Sequence, residues 1–207
     1  MGDEAVPGVR EAQKQATRRR VLDAASEMFN EIGYDDATVR AIANRAGVSV
    51  GSVFTTFTSK ADILSQVMQD RLDALYDEAG RVIPLMRGSI ADRCRSLFAI
   101  LYAFEMRRVK LFLAHIASSY RWEVDPGVHT FGSNQAVRNV IHGWLTDGVA
   151  GGEVRPDVQL DLIIDLLIGV YAWNYRLAAR EGADSARLTA IMDQQVGLIF
   201  DGLAPRK

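Results

Sequence analysis

Cysteine is nearly missing from this chain: Cys94 stands alone among 207 residues, so no disulfide can close within it and no thiolate cluster can hold a metal. That frugality agrees with a reducing compartment, and a cytoplasmic location is expected. Long apolar runs are missing too. The longest, around Leu166 to Trp173, falls well below the roughly 20 residues that span a bilayer, and the first residues carry no apolar leader, so no membrane partner is expected. Net charge is only -2, and residues 1 to 60 carry as many acidic as basic side chains, which excludes a generally basic coat for nucleic acid. Any such binding must use local patches. Signatures of catalysis are absent as well: no G-x-S-x-G, H-E-x-x-H or C-x-x-C occurs, "GVAGGEV" lacks the Lys-Ser/Thr of a phosphate loop, and His115, His129 and His142 have no metal-ligand spacing. Neither a catalytic residue nor a metal or cofactor is expected.

Proline is scarce, with five residues in the whole chain, and what fills the space is helical periodicity. Apolar residues recur at threes and fours nearly throughout, strict alternation is lacking, and the fold class is all-α. Residues 18 to 32 set Val21, Leu22, Ala25, Met28, Phe29 and Ile32 on one stripe, and Gly33 ends the helix. Before it, "VREAQKQATRRR" gathers Arg10, Lys14, Arg18, Arg19 and Arg20, either a phosphate-binding arm or a solvated helix start.

The stretch "ATVRAIANRAGVSVGSVFTTFTSK", residues 37 to 60, reads as two helices of about eight residues around a tight turn. Thr38 caps the first, whose Val39, Ile42, Ala43 and Ala46 share a face, and Gly47 supplies the left-handed position that ends it. Ser49 caps the second. In that helix Gly51, Ser52, Thr55 and Thr56 fall opposite an apolar arc of Val50, Val53, Phe54 and Phe57. An outer face that is small and uncharged suits close approach to a major groove, where a solubility face would carry Lys or Glu. A short core helix with an ordinary surface is the competing explanation.

These residues carry a family resemblance: "FNEIGYDDATVRAIANRAGVSVGSVFTTFTSKADIL", Phe29 to Leu64, resembles the DNA-binding domain of TetR/AcrR-type transcriptional regulators. Beyond Leu64 the likeness is architectural. The resemblance implies an N-terminal arm and helix-turn-helix domain over 1–60, and a helical domain over 61–207 that binds a ligand and dimerises. It implies contacts to an operator in double-stranded DNA from Thr38, Arg40, Ser49, Val50, Gly51, Ser52, Phe54, Thr56 and Lys60, with Arg40, Lys60, Thr38 and the Arg18 to Arg20 arm on phosphates. Val50, Phe54 and Thr56 stand where relatives often have Lys, Tyr and His, and each removes a polar contact. The wheel places Phe54 on the buried arc while the resemblance places its edge near DNA; an edge position serves both. Val50 and the Thr56 methyl are matched to thymine methyl groups. The implied regulator is a repressor, a homodimer on a near-palindrome with recognition helices about 34 Å apart.

Two C-terminal helices are expected to pair the protomers. "PDVQLDLIIDLLIGVYAWNYRLAAREG", Pro156 to Gly182, is apolar on too many sides for one core, and 184 to 203 spaces Leu188, Ile191, Met192, Gln195, Val196, Ile199 and Phe200 for one seam of a four-helix bundle. Gly169 permits a close crossing. Asp165, inside the apolar run, is a rim residue, a partner for an arginine across the interface, or a pocket group. Residues 98 to 175 hold eleven of the seventeen aromatics, enough to line a cavity or simply to pack a core. With the resemblance, Phe98, Tyr102, Phe112, His115, Trp122, Trp144, Tyr171 and Tyr175 become candidate lining residues and Asn174 a polar orienter, for a small apolar or aromatic effector. Helix four, from Ser59 toward Ala79, is expected to transmit its binding. Rival readings are an all-α carrier or enzyme that does not use its helix-turn-helix, and a protein-binding adaptor; dimerisation in solution favours the regulator.

Overall fold

A computed structural model describes residues 8–118, 131 and 135–204. Among them no strand occurs, and nine α-helices account for nearly all the regular structure. The first, α1 (Val9–Glu31), begins well before residue 18. Its N-terminal turns carry no apolar stripe, but Ala, Gln, Glu, Lys and Arg are strong helix formers and Gln15 donates to Glu11 one turn back. The basic stretch is thus rigid helix rather than loose arm. Ile32 lies just past the helix and is 48% exposed, off the expected stripe.

Local chemistry sets the next three helices. Thr38 Oγ1 accepts from the Ala41 amide at the start of α2 (Val39–Ala46), and Gly47 closes it at φ 65°, with the Val48 amide bonded back to the Ala43 carbonyl at 3.0 Å. Ser49 Oγ accepts from the Ser52 amide to start α3 (Val50–Phe54), and Ser59 caps α4 (Lys60–Val82) in the same way. At five residues α3 is shorter than the eight expected. Val21, Leu22, Ala25 and Phe29 of α1 bury with Ile42, Ala43, Val53, Phe57, Ile63 and Leu64 in a core that is continuous with that of the body. Burying a side chain of this size contributes about 1.5–3 kcal/mol, so these residues hold α2 and α3 against α1 and α4.

The body follows as α5 (Ile90–Glu105), α6 (Val109–Ser118), α7 (Gln135–Ala150), α8 (Leu160–Glu181) and α9 (Ser185–Leu203). Ser89 and Asp92 form a reciprocal capping box at the head of α5. Helix α5 packs most extensively on α9, which spends Leu188, Met192 and Val196 on its own chain's core. Gly148 on α7 lets the backbone pass Ile90: a Cβ there would sit 2.0 Å from its Cδ1. Cys94 is buried among these helices, its thiol pushed up to about 12 chiefly by desolvation, which fits packing and not chemistry.

Helix α8 is long and apolar enough to cross a membrane by length and composition, yet Ile164, Leu167, Tyr171 and Tyr175 are buried against neighbouring helices. Its other side leaves Leu162, Leu166 and Trp173 more than half exposed, on one stripe around Gly169. Leu198 of α9 is 74% exposed as well.

Candidate nucleic-acid interface and body cavity

Capping, which builds the turn, also fixes the hydroxyls of the outer face. Ser49 Oγ is shared with Ser52 Oγ at 2.8 Å, and Thr55 Oγ1 donates to the Ser52 carbonyl at 2.7 Å. At Thr38 the cap uses acceptor capacity and leaves the O–H free to donate, as a phosphate requires. Gly51 is exposed, and a Cβ on it would approach nothing nearer than Ser49 Oγ at 3.8 Å. Thr56 and Val50 are half-buried, and Val50 packs partly on the core, which leaves less of it for a thymine methyl than the sequence reading assumed. Phe54 is 55% exposed, so the wheel's buried arc is corrected: in a helix this short, Val53 and Phe57 carry the packing and Phe54 points outward.

Two expected phosphate cations are already engaged. The Lys60 ammonium donates to the carbonyls of Tyr34, Asp35 and Ala37 at 2.8, 3.2 and 2.9 Å and lies 4.3 Å from the Tyr34 ring centroid. An ammonium has three donors, and all three serve the α1–α2 corner, so Lys60 is a strut of that corner and not a free cation. In the basic stretch Arg18 donates to Gln66, and Arg19 pairs with Asp23 and Asp70, bracing α1 to α4. Arg20 and Arg40 are exposed and have no side-chain partner among the described residues. The side chain of Arg10 lies outside them. A contribution that sequence reasoning missed is the flank of α1: Gln13, Lys14 and Thr17 line one shallow depression with Ser52, Thr55 and Thr56. Lys14 in the basic stretch was the only signal for it.

In the body, a cavity of about 60 Å³ sits between α4, α5, α6, α7 and α8. Phe98, Phe112, His115 and Tyr171 line it as expected. Tyr102 and Tyr175 are fully buried behind that wall, with ring centroids 4.7 Å from Tyr171 and 4.6 Å from Phe112. Asn174 lies off the cavity lining: its Nδ2 donates to Tyr102 Oη and Gln195 Oε1, and its Oδ1 accepts from Gln195, so it knits α5, α8 and α9. Trp144 is buried on α7 but does not line the cavity, and Trp122 lies outside the described residues. Leu72, Leu75 and Tyr76 of α4 complete the wall, along with Phe131 and Glu105.

Glu105 is the unforeseen member. It is 1% exposed, and its Oε2 accepts from Arg71 at 3.0 Å while Arg71 also lies over the Phe104 ring, 4.9 Å from the centroid. Burial raises its carboxyl above the ordinary range, opposed by the Arg71 charge. Desolvation, with the charges of Glu105 and Asp73, raises the neighbouring Tyr76 phenol too. Asp165 pairs with Arg138 of its own chain at 2.7 Å and is not among the residues lining the cavity.

A capped helix-turn-helix with an uncharged outer face, joined by one continuous helix to a helical body with a cavity, defines a helix-turn-helix transcriptional regulator. Residues 21–67 match the family model described as bacterial regulatory proteins, tetR family. It is 26% identical over 152 residues to the transcriptional repressor KstR2 of Mycolicibacterium smegmatis, covering 73% of this chain and 74% of that protein. Its fold is that of FadR from Bacillus subtilis in complex with stearoyl-CoA: TM-score 0.72 and 19% identity, over 89% of this chain and 98% of that one. FadR from Thermus thermophilus in complex with lauroyl-CoA matches at TM-score 0.69 and 24% identity, over 92% and 96%.

Proposed function

We propose that the protein is a repressor that binds a near-palindromic operator as a homodimer and is released by a small, largely apolar effector held in the body cavity. The observation that carries this reading is the outward face of α3, where Gly51 and Phe54 are exposed next to the capping Ser49, with Arg40 exposed on α2. Phosphate contacts position such a unit and base contacts specify its site. Arg40, Arg20, Lys14 and the hydroxyl of Thr38 take the first role; Gly51, Ser52, Thr56 and the edges of Val50 and Phe54 take the second. Pairing uses the stripe of Leu162, Leu166 and Trp173 with Leu198, an apolar surface that a monomer would leave in water.

Helix α4 joins the two activities. It starts at the Lys60 corner and reaches the cavity at Leu72, about 18 Å along its axis at 1.5 Å per residue. On this reading residues 1–60 form the reading unit and 61–207 the regulatory body, with α4 packed against both. An effector that swells the cavity turns α4 and changes the spacing of the two recognition helices, weakening DNA binding by a coupling of about 1–3 kcal/mol. Fatty acyl-CoA molecules bound by the two FadR structures make lauroyl-CoA and stearoyl-CoA the first compounds to try, and the largely apolar cavity wall adds medium-chain alcohols. Each is added to the complex of full-length protein with a duplex selected for binding. Release by at least one, with the protein still dimeric, supports the proposal; a complex indifferent to all of them removes the effector arm.

A further inference from the structure

We infer that Glu105 is the polar recognition point of the cavity, and that the effector is an apolar molecule bearing a hydrogen-bond donor, a hydroxyl or an amine, rather than a carboxylate. The inference rests on the effector reading above and gives its ligand a chemistry. Except for Tyr76, His115 and the Tyr171 phenol, the other lining side chains are hydrocarbon. Tyr171 Oη is engaged by Tyr175 Oη at 3.0 Å. Glu105 Oε1, by contrast, is buried and has no hydrogen-bond partner among the described residues. Buried carboxylate oxygens left in that condition are rare, and an arriving donor is what satisfies one.

The ion pair is arranged with its two members on different sides. Glu105 faces the cavity, whereas Arg71 lines a separate outer depression with Arg19, Asp70 and Phe104. A ligand entering the cavity therefore meets the acidic end of the pair. A second carboxylate brought beside Glu105 would be repelled by it at low dielectric. Because Arg71 belongs to α4 and Glu105 to α5, whatever bonds to Glu105 also acts on the contact between these helices.

Calorimetric titration of the full-length dimer with 1-hexanol, hexylamine and hexanoate provides the test, run in parallel on Glu105→Gln and Glu105→Leu. The alcohol and amine should bind at least tenfold tighter than the acid. Glu105→Leu should abolish or reverse that order, and Glu105→Gln, which keeps an acceptor of the same shape, should retain the alcohol's advantage while losing the amine's. If Glu105→Leu fails to fold, the Gln variant alone decides through the amine. Equal binding of all three probes, or an unchanged order in the variants, overturns the role of Glu105 while leaving an effector cavity. Binding of none withdraws the cavity reading with it.

Discussion

Lys60→Met separates two roles that are easily confused. The wild-type ammonium donates three hydrogen bonds to the corner carbonyls of Tyr34, Asp35 and Ala37 and sits against the Tyr34 ring. A hydrogen bond to a charged group contributes about 1.5–3 kcal/mol and a partly exposed cation–π contact about 0.5–1. Lys60 is only half-buried, so water recovers part of this when the side chain is shortened. The expected loss of folding stability is about 1–3 kcal/mol, near one well-made charged bond. Denaturant unfolding at fixed protein concentration measures it, and the dependence of operator affinity on salt is measured alongside. A phosphate-bound lysine would contribute about 0.9 to the log-log slope for each half-site, while a strut contributes none. The strut reading predicts reduced stability, weaker binding and an unchanged slope. Full stability with a slope smaller by about 0.9 per half-site would refute it.

Other substitutions probe the remaining claims. Gly51→Ala meets only Ser49 Oγ, at an ordinary 3.8 Å, and has better helix propensity, so folding stability should hold or rise by up to about 1 kcal/mol while operator affinity falls; unchanged affinity would remove the close approach of α3 to the groove. Thr56→Ala should change preference at one operator position by about 1–3 kcal/mol, read from competition between single-base variants, and a uniform loss across all of them would contradict base reading. Gly148→Ala places a Cβ 2.0 Å from Ile90 Cδ1 and should cost about 1–3 kcal/mol by overpacking, recovered in part when Ile90→Val removes that methyl, since Val154 Cγ2 still lies 3.1 Å away. Trp173→Glu puts a charge into the α8 stripe and should yield folded monomers by sedimentation; an intact dimer would move the interface elsewhere.

The parts of the fold that sequence reveals here are those written in adjacent residues. Thr38, Gly47, Ser49 and Ser59 act on amides and carbonyls within a few positions, so each cap is legible from spacing alone. What depends on distant partners is not. Lys60 reads as a free cation until the fold brings carbonyls 23 to 26 residues earlier to its amine. Glu105 ends an apolar helix where a solvated acid is ordinary, and only the crossing of α4 and α5 buries it on Arg71, 34 residues away. Phe54 failed for another reason: five residues make too short a helix for the wheel to fix direction. The start of α1 was hidden because its first turns have propensity without periodicity. Asn174, polar in an apolar run, looked like a ligand group and proved to be matched to Gln195.

The central claim, that α3 reads DNA sequence for a dimer, is tested most directly by selecting bound duplexes from a random library with full-length protein at near-physiological salt. The account predicts enrichment of one near-palindrome whose half-sites lie about one helical turn apart, roughly 34 Å between centres. No enrichment, with the protein folded and dimeric, would contradict it.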